Sequence, residues 1–224
     1  MPRPLVKAVV FDLDGTLIDS KDVMQRAYHA AHDEVMGTES TPPPFSEYCK
    51  HLGCSFPEIM RRLGLPPSAM HKVFVRESIR LMSDIRLFDG VTLMLRALGN
   101  AEIPMAIATG KDHARTKQIL THLGIVQHFS LIVGSDDVAR PKPAPDMALK
   151  IVEELRLEPR ETLFVGDAIA DLQCGKAAGM FVGLATWDTP SKEVLSHPRD
   201  VVLNYPWQIL PLLGLNAYAD LVAG

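Results

Sequence analysis

Leu5-Val6-Lys7-Ala8-Val9-Val10-Phe11, followed directly by Asp12-Leu13-Asp14-Gly15-Thr16, is the stretch on which the fold turns. Its first part is a short, nearly unbroken apolar run ending in β-branched and aromatic residues. Such a run, lacking the strict alternation of a half-exposed strand, suits a strand buried on both faces. Two carboxylates close it. If the extended backbone continues, positions i and i+2 share one face, so Asp12 and Asp14 point together from the strand's carboxyl end. An acid-rich turn capping a strand would look the same. Two like charges this close are nevertheless costly unless a cation or a shared proton relieves them.

Working outward, five further runs resemble the first: Ile103 to Ala108, Leu131 to Val133, Thr162 to Val165, Phe181 to Ala185 and Val201 to Leu203. Helical periodicity falls between them, over Val91 to Leu98, His113 to Leu123, Pro145 to Leu155 and Ile169 to Ala178. Strand and helix in alternation predict a parallel sheet covered on both faces, a doubly wound α/β (Rossmann-like) core. The roughly seventy residues between Thr16 and Val91 break that rhythm, being far longer than an ordinary crossover. Val23, Ala27, Ala31 and Val35 recur at helical spacing there, as do Ile59-Met60, Leu63 and the run Val73 to Met82. Gly37 to Pro44 and Gly64 to Pro67 are the breaks. The predicted division is an α/β domain of 1–18 plus 85–224, with an all-helical module of 19–84 inserted after the first strand. Ligands in open α/β folds bind at the strands' carboxyl ends, where such a module would stand.

Composition agrees. With 47% hydrophobic residues in 224, the chain can build a sizeable core. The formal charge of −4 gives no electrostatic footprint for nucleic acid or an anionic membrane. Cys49, Cys54 and Cys174 lack metal-ligand spacing, and no apolar run approaches membrane-spanning length. The expectation is a cytoplasmic protein, monomeric or weakly dimeric.

Three more segments carry chemistry. Ala106-Ile107-Ala108-Thr109-Gly110 ends a core strand with a hydroxyl and a turn glycine; Arg140-Pro141-Lys142-Pro143 precedes a helix; Val165-Gly166-Asp167-Ala168-Ile169-Ala170-Asp171 ends another strand with two carboxylates. Each has an ordinary reading: Thr109 as a helix N-cap, Lys142 as a surface lysine, Asp171 as a capping carboxylate. Taken in order with Asp12-Leu13-Asp14-Gly15-Thr16, they resemble the haloacid dehalogenase superfamily, in its phosphatase branch. The family's pattern is an Asp-x-Asp-Gly-Thr loop, a Ser/Thr after the next core strand, a lone Lys, a Gly-Asp-x-x-x-Asp pair, and a helical cap inserted after the first motif. Pro141 departs from it, since glycine more often precedes that lysine. Arg140 is a candidate extra phosphate contact.

The resemblance implies a Mg2+-dependent phosphomonoesterase acting on a small phosphorylated metabolite. Asp12 would be the nucleophile, forming an aspartyl phosphate. Asp14 would protonate the leaving oxygen and then take a proton from water. Its presence favours ester chemistry, because relatives that cleave C–Cl or C–P bonds or pump ions replace it. Asp12, the backbone carbonyl of Asp14, and Asp167 would hold the metal, with Asp171 orienting a ligand or Lys142. Lys142, Thr109, Gly110 and backbone N–H groups near Leu13 would bind the phosphate.

Substrate choice would fall to the cap. His51-Leu52-Gly53-Cys54-Ser55-Phe56 lies where related caps carry a specificity loop, making His51, Ser55 and Phe56 candidates, with Lys50 nearby. A helix–helix turn with a structural histidine would also account for His51, and Cys54 reads as a small buried hydrophobe. Tyr28, His29 and His32 read as helix surface and packing. Phosphosugar mutases of the superfamily carry a cap Arg and a first-helix His where Phe56 and Met24 stand, which favours phosphatase over mutase. Phe45 to Met60 and Phe74 to Ser78 also resemble phosphatases associated with 3-amino-5-hydroxybenzoate formation in ansamycin pathways, which would act on a phosphorylated amino sugar; phosphoglycolate phosphatase is the alternative. Asn216 to Gly224 receive no role.

Overall fold

The computed structural model describes residues 6–215, so Leu5 and the segment 216–224 lie outside the described residues. Six parallel strands form the central sheet: β1 (Ala8–Phe11), β4 (Met105–Ala108), β5 (Leu131–Val133), β6 (Thr162–Gly166), β7 (Phe181–Ala185) and β8 (Val201–Leu203), in the order β5-β4-β1-β6-β7-β8. All six apolar runs of the sequence are strands. In β1 every residue is buried, and period-two alternation shares the strand between two cores. Val9 and Phe11 join Ile107, Leu163 and Val165 on one face, packed on α5 (Val91–Asn100). Val10 joins Ala106, Ala108 and Phe164 on the other, packed on α7 (Asp146–Leu155) and α8 (Ile169–Ala177).

Strand β1 pairs with β4 on one side and β6 on the other, with Val9 opposite both Met105 and Leu163. The chain runs to β4 and β5 on one flank and to β6, β7 and β8 on the other. The order therefore reverses at the carboxyl end of β1, the crevice where open α/β sheets bind ligands.

Helices fill the interval after β1: α1 (Lys21–Met36), α2 (Phe45–Cys49), α3 (Phe56–Arg62) and α4 (Pro67–Arg80). They share an apolar cluster rich in aromatics, including Tyr28, Phe45, Tyr48, Phe56 and Phe74. Ala170 is the buried residue that the α/β core contributes to it. One detail differs from the sequence reading, which found no strand between Thr16 and Val91. Strands β2 (Ile18–Asp19) and β3 (Arg86–Leu87) pair antiparallel at the neck of the insert. Two residues apiece are too few to imprint a periodicity, and the pairing arises because entry and exit of the insert must meet. Helices α6 (His113–His122) and α9 (Lys192–Ser196) complete the fold.

Phe164 lies at the centre of the sheet, wholly buried among Val10, Leu172 and Val182. Phe164→Ala is expected to cost about 3–5 kcal/mol of unfolding free energy, measured by urea denaturation. A loss below about 1 kcal/mol would mean that this face of the sheet is not the packed core described.

Candidate active site

The site is assembled at the ends of β1, β4 and β6. Asp12 follows β1 directly and keeps one sheet bond, its N–H donating to Val165 O at 2.9 Å. Pairing ends there. Asp14 is therefore not carried by strand alternation, as the i, i+2 argument required. A tight turn places it, in which Gly15 N–H donates to Ile18 O and both Leu17 and Ile18 N–H donate to Leu13 O. Gly15 adopts φ +77°, and a Cβ there would stand 2.2 Å from the Asp167 carboxylate, so this position takes only glycine. Asp12 and Asp14 both line the cavity between the insert and the sheet.

Lys142 is 1% exposed, and its ammonium donates to Asp12 Oδ1 at 2.6 Å, Asp171 Oδ1 at 2.6 Å and Ala108 O at 2.8 Å. The surface-lysine reading is thereby excluded. Asp171 is wholly buried; its second oxygen accepts from Ala168 N–H at 3.0 Å, capping α8 while holding Lys142. Asp167 Oδ1 accepts from Thr16 Oγ1 at 3.2 Å. Thr109, also wholly buried, accepts from Lys111 N–H at 3.3 Å and leaves its hydroxyl proton to donate. It is not the N-cap of α6: Asp112 holds that place, accepting from Arg115 N–H at 2.9 Å. Arg140 turns away, 74% exposed and paired with Asp146, so it is no phosphate contact here.

Asp12, Asp167 and Asp171 bring one carboxylate oxygen each to within 4.8 Å of one another. Lys142 offsets part of that charge. Burial and the neighbouring Asp171 carboxylate still push Asp12 up to about 7, against the pull of Lys142. Burial, Asp171 and Asp12 likewise raise Asp167 well above the usual range. Crowded hard oxygen donors suit a small divalent cation. Both oxygens of Asp171 are already engaged, whereas Asp12 and Asp167 each keep one free.

Sequence reasoning missed two cations. Lys111, 7% exposed, pairs with the Asp14 carboxylate, which also accepts from Ser20 Oγ. Burial alone would raise Asp14; the Lys111 ammonium outweighs it and holds the carboxyl below its ordinary value. Arg115, 4% exposed, lines the same cavity. Lys111 follows the turn glycine of the Thr109-Gly110 motif, a position that could have marked it.

From the insert, Phe56 and Met24 line the cavity, together with Tyr48, Leu52, Gly53, Cys54, Ile59 and Phe74. Ser55 and His51 are not among the lining residues; Ser55 is buried where α3 starts, and the His51 ring lies 3.4 Å from Arg62 Nη1. The tight loop 51–55 turns Leu52, Gly53 and Cys54 to the cavity, with the carbonyls of Gly53 and Cys54 against Gly110, which spacing alone does not foretell. The contact is close: a Cβ on Gly110 would stand 2.3 Å from Cys54 O. Burial raises the Cys54 thiol, which suits a packing role. His32 is buried, and no histidine belongs to a metal-ligating cluster among the described residues.

Residues 9–185 match the family model of haloacid dehalogenase-like hydrolases. The chain belongs to that family. It is 33% identical over 221 residues to a phosphoglycolate phosphatase of Pectobacterium atrosepticum, covering 93% of each chain. Among solved structures it resembles a phosphoglycolate phosphatase-like protein from Lactobacillus plantarum (TM-score 0.80, 22% identity, 92% and 99% covered). It also resembles CbbY from Rhodobacter sphaeroides in complex with phosphate (TM-score 0.79, 21% identity, 94% and 100% covered). These likenesses agree with the fold, and the curated relatives mark this hydrolase as a phosphoric monoester hydrolase. Among the described residues, no helix is long and apolar enough to cross a membrane.

The raised carboxylates make a testable statement about stability. A carboxyl whose pKa is higher folded than unfolded contributes stability below the unfolded value and loses it as pH climbs through the folded one. For Asp12 the window runs from 3.8 to about 7. In chelator, the melting temperature is expected to fall by roughly 5 °C or more between pH 5 and pH 8, and millimolar Mg2+ should restore most of it at pH 8. A flat profile, or one indifferent to Mg2+, would mean that the three carboxylates do not repel as described.

Proposed function

We propose that this hydrolase is a Mg2+-dependent phosphomonoesterase working through an aspartyl phosphate on Asp12, with the helices of 19–84 as a cap over the core of 1–18 and 85–224. The observation that carries the reading is Asp12, buried at the cavity with Oδ1 held by Lys142. That bond fixes the carboxylate's orientation and leaves Oδ2 free to attack phosphorus. Asp12, through the oxygen that does not attack, would hold the metal together with Asp167 and the carbonyl of Asp14, and the metal would supply charge neutralisation between an anionic nucleophile and an anionic ester.

The chain's own groups supply the rest. Lys142, the Thr109 hydroxyl and the N–H groups around Gly110 offer donors to phosphoryl oxygens. Lys111 is placed to leave Asp14 for the incoming phosphoryl group. Freed of that ammonium, Asp14 can take up a proton. It then gives the proton to the leaving oxygen as the ester P–O bond breaks. In the second step Asp14 takes a proton from water as the water oxygen displaces Asp12 from phosphorus. Gly110 packed against the main chain of Cys54 keeps solvent from the intermediate.

The open space inside the cavity is about 30 Å³, room for little more than one or two waters, so an ester enters only when the cap opens. A polymer has no place there. The relatives point to phosphoglycolate, a two-carbon acid phosphate. The resemblance of 45–60 and 74–78 to phosphatases of 3-amino-5-hydroxybenzoate formation points to an amino-sugar phosphate. Apolar Phe56 and Met24 at the cavity wall speak against a mutase, which must grip a second phosphate.

Phosphate release from a panel of small esters tests the proposal. Turnover is expected with Mg2+ and not with chelator, and Asp12→Asn should lower kcat by at least about 10⁴-fold without lowering the melting temperature. Undiminished turnover by that variant, checked for deamidation, would remove Asp12 from the role.

A further inference from the structure

Arg115 is a charged side chain kept almost wholly from water, at 4% exposure, on the wall of the cavity that holds Asp12 and Asp14. Its pairing is incomplete. Nη1 and Nε have no hydrogen-bond partner among the described residues, and Asp112 Oδ2 is likewise unpartnered. The Nε···Oδ2 separation is 3.3 Å, but the groups are misaligned for a hydrogen bond. The guanidinium lies over the Phe74 ring, 5.3 Å from its centroid, a contact that holds its position without using its N–H donors. Burying a guanidinium with donors unsatisfied is costly, and such a cost persists in a fold where something else completes the bonds.

Its place on the helix points the same way. Arg115 is in the first turn of α6, where the macrodipole disfavours a cation. Lys111 stands just ahead of that helix. Lys111 and Arg115 thus bring two cations to one end of a small cavity, where the Asp112 and Asp136 carboxylates already accept the first N–H groups of the helix. Lys111 already faces Asp14, which leaves Arg115 as the cation whose N–H groups await an anion.

We infer that Arg115 is the specificity residue of this hydrolase and binds a carboxylate on the alcohol half of the phosphate ester. The inference rests on the phosphomonoesterase reading and deepens it. A carboxylate matches the planar fork of a guanidinium and carries one negative charge for one incompletely paired cation. A second phosphate would bring more charge than a single guanidinium, partly offset by Asp112, can meet. An amino sugar would set an ammonium in the cavity beside a buried cation. The aromatic walls formed by Tyr48, Phe56 and Phe74 exclude the water that would otherwise weaken the Arg115–carboxylate contact.

The experiment compares kcat/KM for phosphoglycolate with that for 2-hydroxyethyl phosphate, similar in size but uncharged at the far end, with p-nitrophenyl phosphate as a generic ester. Glucosamine 6-phosphate and a small sugar bisphosphate complete the panel. The wild type should prefer phosphoglycolate to 2-hydroxyethyl phosphate by about thirtyfold or more, the worth of a charge-assisted bond. Arg115→Gln should lower that ratio by a similar factor, mainly through KM, and Arg115→Lys should recover part of it. Parallel loss on both esters, leaving the ratio unchanged, would mark a merely structural residue and overturn the inference. So would a wild type that prefers the bisphosphate or the amino-sugar phosphate. If the variants fail to fold, the wild-type ratio still decides, together with inhibition of aryl phosphate hydrolysis by glycolate against ethylene glycol. Equal inhibition by the two would overturn the inference. Hydrolysis of p-nitrophenyl phosphate with no preference for the carboxylate ester defeats the inference alone. No hydrolysis of any ester with Mg2+ defeats the phosphomonoesterase reading and the inference with it.

Discussion

One buried ammonium holds the site together. Lys142 reaches the end of β1 through Asp12, the end of β4 through the carbonyl of Ala108, and the start of α8 through Asp171. Burial alone would drive its proton off; two carboxylates keep it charged, well above the ordinary lysine value. Such an arrangement is a poor source of stability, since desolvating three ions costs about what their attraction returns. Its worth is positional. Asp12 is held in one orientation with one oxygen engaged and the other free, before any ester arrives. The charge count also stays unbalanced: with Asp167, three carboxylates face one ammonium, and the deficit suits a divalent cation.

The chemistry at the floor of the cavity depends on what covers it. The helical insert has its own aromatic core and joins the sheet domain through a neck of two-residue strands. The two meet through side chains, as where Arg115 lies over Phe74, and at Gly110 and Cys54 through main chain against glycine. Side chains there would hold the halves apart. Close contact there therefore depends on a residue with no side chain.

Much of this was legible in the sequence, and for a physical reason. Buried parallel strands leave continuous apolar runs, so all six could be found. The residues that end them, Asp12, Thr109 and Asp167, are adjacent in space because parallel strands finish on one edge. Lys142 and Asp171 became legible through the spacing of the same motifs. What escaped reading depends on partners remote in sequence or on the path of a turn. Lys111 and Asp14 are 97 positions apart, and neither carries a local mark of the other. Arg115 breaks the helix-dipole preference, a signal present in the sequence but weak beside surrounding periodicity. Analogy of position puts His51 and Ser55 at the cavity, whereas the tight loop 51–55 turns Leu52, Gly53 and Cys54 to it instead. Arg140, two residues before Lys142, is simply a solvated partner of Asp146.

The central claim is that Asp12 takes the phosphoryl group, and intact-protein mass spectrometry tests it most directly. With Asp14→Asn, attack on an aryl phosphate survives better than hydrolysis of the intermediate, because an aryl leaving group needs little acid and the water step has lost its base. Acid quenching of that variant during turnover with Mg2+ should trap a protein heavier by one phosphoryl group, with the adduct on the peptide that contains Asp12. Phosphate release that continues with no adduct, or with the adduct on any other residue, would contradict the account.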